Sequence, residues 1–269
     1  MLELNRIYNM DCLEGMKMLD TGCIDLTVTS PPYDDLRTYS NDIDKTWNEN
    51  VWKPIIKELY RITKEGGVVV WVVGDATING SETGTSFKQA LWAMECGFKL
   101  YDTMIYQKQT YVPLTHRRYE QEFEYMFVFS KGKPKTFNPI KVPCKYAGTE
   151  SWGEPTFHKT NDSGLVKIGK TVIGDFKQHG NIFCYMNGRT KETQHHPAPF
   201  PMQLAVDNIT TWSNEGDIVF DPFTGSGTTL VSAIKNKRDF IGFELNSDYC
   251  KIADARILVE LDVKKHKLF

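Results

Sequence analysis

The 269-residue sequence has no apolar stretch approaching the roughly 20 residues that a membrane-spanning helix needs. It has no Cys-x-x-Cys pair either, since its six cysteines stand singly at 12, 23, 96, 144, 184 and 250. That scatter argues against a disulfide framework or a cysteine zinc site, and reduced thiols in a cytoplasmic protein are expected. The opening Met1-Leu2-Glu3-Leu4-Asn5-Arg6 lacks a basic start followed by an apolar run, so no signal peptide is expected. An excess of positive charge is also missing, because 32 Lys and Arg face 34 Asp and Glu. This balance excludes a uniformly basic surface but not a local one. No internal repeat is found.

What is present is unevenly placed. Residues 131–191 hold eleven Lys or Arg against four acids, so this segment is basic and the remainder acidic. Seven aromatics are interleaved there: Phe137, Tyr146, Trp152, Phe157, Phe176, Phe183 and Tyr185. A solvated lysine-rich loop explains such charge, and aromatics also build small cores. Together they suit a phosphate backbone lying beside bases.

Outside that segment, short apolar runs alternate with helical patterns, which predicts a parallel sheet covered by helices. Strands are expected at 24–29, 68–73, 100–106, 122–130, 217–221 and 240–244. The run at 68–73 is continuously apolar, as a strand buried on both faces would be. Trp52, Ile55, Ile56, Leu59 and Tyr60 form one helical face, with Gly66-Gly67 as its stop. Phe87, Ala90, Leu91 and Met94 form another, from about Ser86 to Gly97. Further helices are expected at 202–212, at 228–236 and from Ser247 onward.

Two strand ends carry the strongest chemical signals. In Asp221-Pro222-Phe223-Thr224-Gly225-Ser226-Gly227-Thr228-Thr229, the glycines fall in a tight strand-to-helix turn whose backbone can approach a ligand closely. Glu244 ends the next strand, where a carboxylate can accept both ribose hydroxyls of an adenosine-containing cofactor. Leu230 occupies the third-glycine position of a dinucleotide loop, which counts against a dehydrogenase. In Thr29-Ser30-Pro31-Pro32-Tyr33, two prolines without N–H groups hold the chain extended beyond the sheet. The Ser30 hydroxyl and the Pro31 carbonyl then become fixed acceptors beside an aromatic ring, a pocket for a planar group bearing an amine. An exposed polyproline turn is the bland alternative, disfavoured by the buried strand before it.

These residues resemble the amino-methyltransferase family of DNA methyltransferases, in the permuted beta order where the catalytic tetrapeptide precedes the cofactor loop. Asn9-Met10-Asp11-Cys12-Leu13-Glu14 is similar to the family's Gly-Asp-Cys segment, with Met10 in place of glycine. His196-Pro197-Ala198-Pro199-Phe200-Pro201 is similar to its His-Pro-Ala-x-Phe-Pro element, and Arg117, Arg118 and 120–131 to its late strand pair. The resemblance covers most of the chain outside 131–191. It implies an α/β Rossmann-like methyltransferase fold, a mostly parallel twisted sheet with helices on both faces, circularly permuted motif order and an irregular insertion. Residues 1–130 and 192–269 would form the catalytic domain and 131–191 a DNA target-recognition insertion.

The cofactor implied is S-adenosylmethionine, held by Asp11, Cys12, Phe200, Asp221, Pro222, Phe223, Thr224, Gly225, Ser226, Gly227 and Glu244. Ser30, Pro31, Pro32 and Tyr33 would be catalytic, with Tyr33 stacked on a flipped base. Arg117, Arg118, Lys133, Lys135 and Lys141 are the expected DNA contacts. Double-stranded DNA is the implied partner, with room for a cognate restriction endonuclease and a homodimer, and no membrane. Serine before Pro-Pro-Tyr resembles the cytosine-N4 subgroup, with adenine N6 as the alternative. Methylation of RNA or of a protein glutamine, and an inactive DNA-binding module, are the rival readings. Pro143-Cys144 lies in the irregular segment, away from any strand-end pocket, so a cytosine-carbon nucleophile is not expected there. His195-His196 has no third ligand at metal spacing, and no metal is expected.

Overall fold

The computed structural model describes residues 2–32, 47–109, 117–150, 156–160, 164–168, 172–186 and 201–266, with the backbone alone for 156–160, 164–168 and 263–266. Tyr33, His195, His196 and Phe200 lie outside the described residues.

The larger unit comprises 1–138 and 181–269. Its elements begin with β1 (Arg6–Asn9), α1 (Cys12–Lys17), β2 (Ile24–Thr29), α2 (Glu49–Ile62) and β3 (Thr63–Val73). A small hairpin of β4 (Thr77–Ile78) and β5 (Ser81–Glu82) leads to α3 (Thr85–Glu95), β6 (Lys99–Lys108) and β7 (Phe123–Ser130). The smaller unit, 139–180, contains β8 (Lys141–Pro143), β9 (Thr156–Thr160), β10 (Gly164–Ile168) and β11 (Phe176–Gln178). The larger unit resumes with β12 (Ile182–Tyr185), α4 (Met202–Trp212), β13 (Ile218–Asp221), α5 (Thr228–Lys235), β14 (Asp239–Glu244) and α6 (Ser247–His266).

Eight strands form one sheet in the order β1-β14-β13-β2-β3-β7-β6-β12. All neighbouring pairs are parallel except those made by β7, which runs antiparallel to both β3 and β6. Period-two alternation feeds two cores. Val68, Val70 and Val72 pack with Leu26, Val28 and Phe240 under α4, α5 and α6. Val69, Trp71 and Val73 pack with Ile24, Phe220 and Phe243 under α1, α2 and α3. Each such fully buried aliphatic side chain contributes on the order of 1.5–3 kcal/mol. Within the smaller unit, β8 pairs antiparallel with β11, and β9 with β10.

Helix α2 forms where the sequence predicts it, capped by the Asn48 side chain accepting from the Asn50 amide. Its end differs from the expectation. The helix stops at Ile62, and Gly66-Gly67 lie inside β3. Gly66 has φ +78, and its amide donates to the Lys131 carbonyl, so the glycines shape an irregular strand start rather than a helix cap.

A second correction concerns α3. Phe87, Leu91 and Met94 are 49%, 61% and 46% exposed, while Ser86, Gln89, Ala90 and Ala93 face inward. Two buried polar partners impose this rotation. Asp75 accepts the Ser86 amide at 2.9 Å and its hydroxyl at 2.5 Å, and Gln89 accepts the Trp71 indole N–H at 2.8 Å. Among the described residues no helix is long and apolar enough to cross a membrane.

Candidate active site

Strands β1, β14, β13 and β2 lie side by side and parallel, so their carboxyl ends share one edge. From β13 the chain crosses through α5 to β14 on one side, and from β2 through α2 to β3 on the other. The edge between β13 and β2 is therefore the point where connections diverge, and open α/β sheets bind ligands in the crevice that this creates. Asp221 ends β13 and Thr29 ends β2.

The loop after β13 is built for close approach. Gly225 and Gly227 have φ of +52 and +84, conformations that favour glycine. A Cβ on Gly227 would meet the Ala253 Cβ at 2.9 Å, so α6 packs directly against this turn. Arg256 on the same helix donates to the Ser226 carbonyl and reaches the Thr228 hydroxyl at 3.5 Å. Asp221 anchors the loop's other end. Its Oδ1 accepts the Phe223 amide at 3.0 Å and the Thr29 hydroxyl at 2.6 Å, and its main-chain carbonyl accepts the Thr224 hydroxyl at 3.0 Å. Burial pushes the Asp221 carboxyl up to about 6 against these hydrogen bonds.

Glu244 sits at the neighbouring strand end. Its Oε2 accepts the Gly225 amide at 2.8 Å and its Oε1 the Asn246 amide at 2.7 Å. Burial raises its carboxyl as well, opposed by these amides. A carboxylate has about four lone-pair positions, which leaves acceptor capacity for hydroxyl donors. One strand further, Asn9 pairs with Glu244 in the ladder, and the Asn9 side chain donates to the Glu244 and Leu245 carbonyls. Asp11 follows, capping α1 by accepting the Leu13 and Glu14 amides at 2.9 and 3.3 Å. Cys12 is half-buried as the first residue of that helix. Ser30, Pro31 and Pro32 leave β2 beside this group, with Pro31 buried.

The structure thus gathers Asp11, Cys12, Ser30–Pro32, Asp221–Gly227 and Glu244 along one edge. Arg117 and Arg118 lie on the connection from β6 to β7, which leaves and returns at the same edge, and Arg118 donates to the Gly80 carbonyl in the β4–β5 turn. Lys133 and Lys135 are not brought there. Because β7 runs in reverse, its end lies beside the start of β3, where the Lys135 amide donates to Gly66. Lys141 is exposed on β8 of the smaller unit. Two residues of this edge escape the sequence reading. Thr29 is signalled only by its place before the tetrapeptide, and Arg256 lies 30 residues from the Ser226 it holds, with no motif to mark it.

The family model described as DNA methylase matches residues 24–255. The orphan methyltransferase M.BamHII of Bacillus amyloliquefaciens is 49% identical over 240 residues, spanning 87% of this chain and 88% of that protein. The Type II methyltransferase M1.MboII of Moraxella bovis is 27% identical over 283 residues, spanning 98% and 100%. Among solved structures, the cytosine-N4-specific PvuII DNA methyltransferase aligns with a TM-score of 0.68 at 19% identity, covering 93% of this chain and 85% of its own. The protein TTHA0409 of Thermus thermophilus, complexed with S-adenosyl-L-methionine, aligns with a TM-score of 0.63 at 22% identity, covering 95% of each. These two likenesses bear out the Rossmann-like methyltransferase fold. With a family match running through most of its length and a near-complete relative at 49% identity, the chain belongs to the N6/N4 DNA methylase family, the amino-methyltransferases of DNA.

Proposed function

We propose that this protein uses S-adenosylmethionine to methylate the exocyclic amine of a base flipped out of double-stranded DNA, with cytosine N4 as the preferred target. The observation that carries the reading is the adjacency of Ser30-Pro31 to the Asp221–Gly227 loop at the divergence point of the sheet, locked by the Thr29–Asp221 hydrogen bond of 2.6 Å.

The residues fit the cofactor. Glu244 offers a carboxylate at the strand end for ribose hydroxyls, Asp11 an acidic acceptor one strand away, and the glycine turn an open backbone. When bound, S-adenosylmethionine supplies an electrophilic methyl group. The chain's own part is positioning. The Ser30 hydroxyl oxygen and the Pro31 carbonyl accept the two amine hydrogens, which aims the nitrogen lone pair away from the base plane. A serine hydroxyl is a poor base, so hydrogen bonding rather than proton removal is its role. Tyr33 supplies the stacking surface in this reading, and Phe200 the methionine side.

The short neutral Ser30 side chain favours a pyrimidine amine over the larger purine. Arg117 and Arg118, at the site edge, contact the DNA backbone. The smaller unit, 139–180, which carries part of the basic segment 131–191, supplies sequence recognition. Digesting methylated DNA to nucleosides and identifying the modified base by mass spectrometry tests the reading, with N4-methylcytosine expected.

A further inference from the structure

Thr29 is fully buried and ends β2 one residue before Ser30. Its hydroxyl donates to Asp221 Oδ1, the oxygen that also accepts the Phe223 amide. A single carboxylate oxygen therefore binds the last residue of the β2 strand and the backbone of the glycine loop. Trp47, just before α2, meets the same loop. Its ring meets Phe223 edge-on at 5.5 Å. Trp71, the ladder partner of Thr29, meets Phe223 from another direction at 6.2 Å, and Gln89 fixes its indole.

We infer that Thr29 and Trp47 are positioning residues which, through Asp221 and Phe223, tie the geometry of the amine pocket to the state of the cofactor loop. A shift of the loop backbone at Phe223 moves the oxygen that holds Thr29. Ser30 adjoins Thr29 directly, and Pro31 restricts the backbone of Ser30 before it and fixes its own φ, so little of that shift is absorbed before it reaches the Ser30 hydroxyl and the Pro31 carbonyl. A misplacement of about 1 Å at such acceptors can cost up to a hundredfold in turnover. The Trp47–Phe223 contact holds the side chain of the residue whose amide Asp221 accepts, and so bears on the same carboxylate oxygen. The inference deepens the function proposed above and rests on its assignment of the cofactor loop.

The test separates turnover from cofactor affinity. Transfer of tritiated methyl from S-adenosylmethionine to DNA from an unmodified bacterial host gives kcat, and calorimetry gives the cofactor Kd. Thr29→Val keeps the shape and removes the donor, and should lower kcat by about tenfold, the loss expected for a hydrogen bond to a charged group, with Kd changed by less than about threefold. Thr29→Ser keeps the donor and should restore kcat to within about threefold of the parent. Wild-type kcat in Thr29→Val, a Kd that weakens in parallel with kcat, or a serine variant as slow as valine would each overturn the inference. Should Thr29→Val fail to fold, Trp47→Phe decides: reduced kcat at unchanged Kd supports the coupling, and unchanged kcat removes it. Unweakened cofactor affinity in Glu244→Ala would instead remove the assignment of the loop on which the inference rests.

Discussion

The Glu244 carboxylate accepts the Gly225 amide at 2.8 Å, so the end of β14 and a loop 19 residues earlier are held as one piece. Glu244→Ala should therefore lose both a ribose acceptor and a loop tether. The expected loss in S-adenosylmethionine affinity is roughly ten- to a hundredfold, the range for a charge-assisted hydrogen bond. Glu244→Gln keeps an acceptor oxygen for the amide and should fall between the two. Equal calorimetric affinity in the parent and the folded alanine variant would sink the assignment.

Asp11 has two duties that substitution can separate. It caps α1, worth about 1 kcal/mol when replaced by alanine, and it closely follows Asn9, the ladder partner of Glu244. Asp11→Ser preserves the cap. Thermal stability should survive in that variant while cofactor affinity drops, and retention of both would leave Asp11 a purely structural residue.

The reversal of β7 divides the expected DNA contacts into two sets. Replacing Arg117 and Arg118 together should weaken DNA binding and reduce its log–log salt slope by about two units, near one per phosphate contact. Replacing Lys133 and Lys135, at the opposite sheet edge, should leave the slope as it was. The reverse result, read from binding titrations between low and moderate salt, would place the duplex on the other end of the sheet.

Burial raises the Asp221 carboxyl from 3.8 to about 6, which makes stability depend on pH. Between pH of about 4 and about 6 the folded chain keeps a proton there that the unfolded chain has released. Stability should fall as pH rises through that window and level off above it, by on the order of 1–3 kcal/mol. Asp221→Asn has no such proton. Urea midpoints at pH 4 and pH 7.5 should show the variant gaining on the parent at the higher pH, and an equal gap at both would refute the raised carboxyl.

Product identity is the sharpest test of the pocket. Nucleoside digests containing only N6-methyladenine would refute the cytosine preference and keep the family chemistry. Detection of 5-methylcytosine would overturn the mechanism, because that reaction needs a cysteine nucleophile and none has been assigned.

Where the sequence is readable, one force dominates. The apolar run at 68–73, short and set off by Gly66-Gly67, reads as a strand covered on both faces, and helix 202–212 is flanked by Pro201 and a polar turn at Ser213. The edge residues are readable because strand ends and glycine turns leave local signatures. Long-range polar pairing leaves none. Nothing adjacent to Ser86 or Gln89 announces Asp75 and Trp71 as partners, so the hydrophobic residues of α3 read as inward-facing when buried hydrogen bonds turn them out. Strand direction is equally hidden, since apolar residues in β7 alternate the same way whichever way it runs. Lys133 and Lys135, expected as DNA contacts from their place in the basic segment, stand at the other end of the sheet because β7 runs in reverse.

The order of strands in the sheet also governs how the molecule comes into being. Strand β1 finds its sheet neighbour in β14, 235 residues later, and Asp25 at the start of β2 waits for the Ile218 amide, 193 residues on. Pairing of such sequence-distant strands is intrinsically slow. On the ribosome, β1 and one side of β2 emerge as open strand edges and stay unpaired until nearly the whole chain has been made. Nascent chains that stall before β13 should therefore expose open strand edges to which other chains can add.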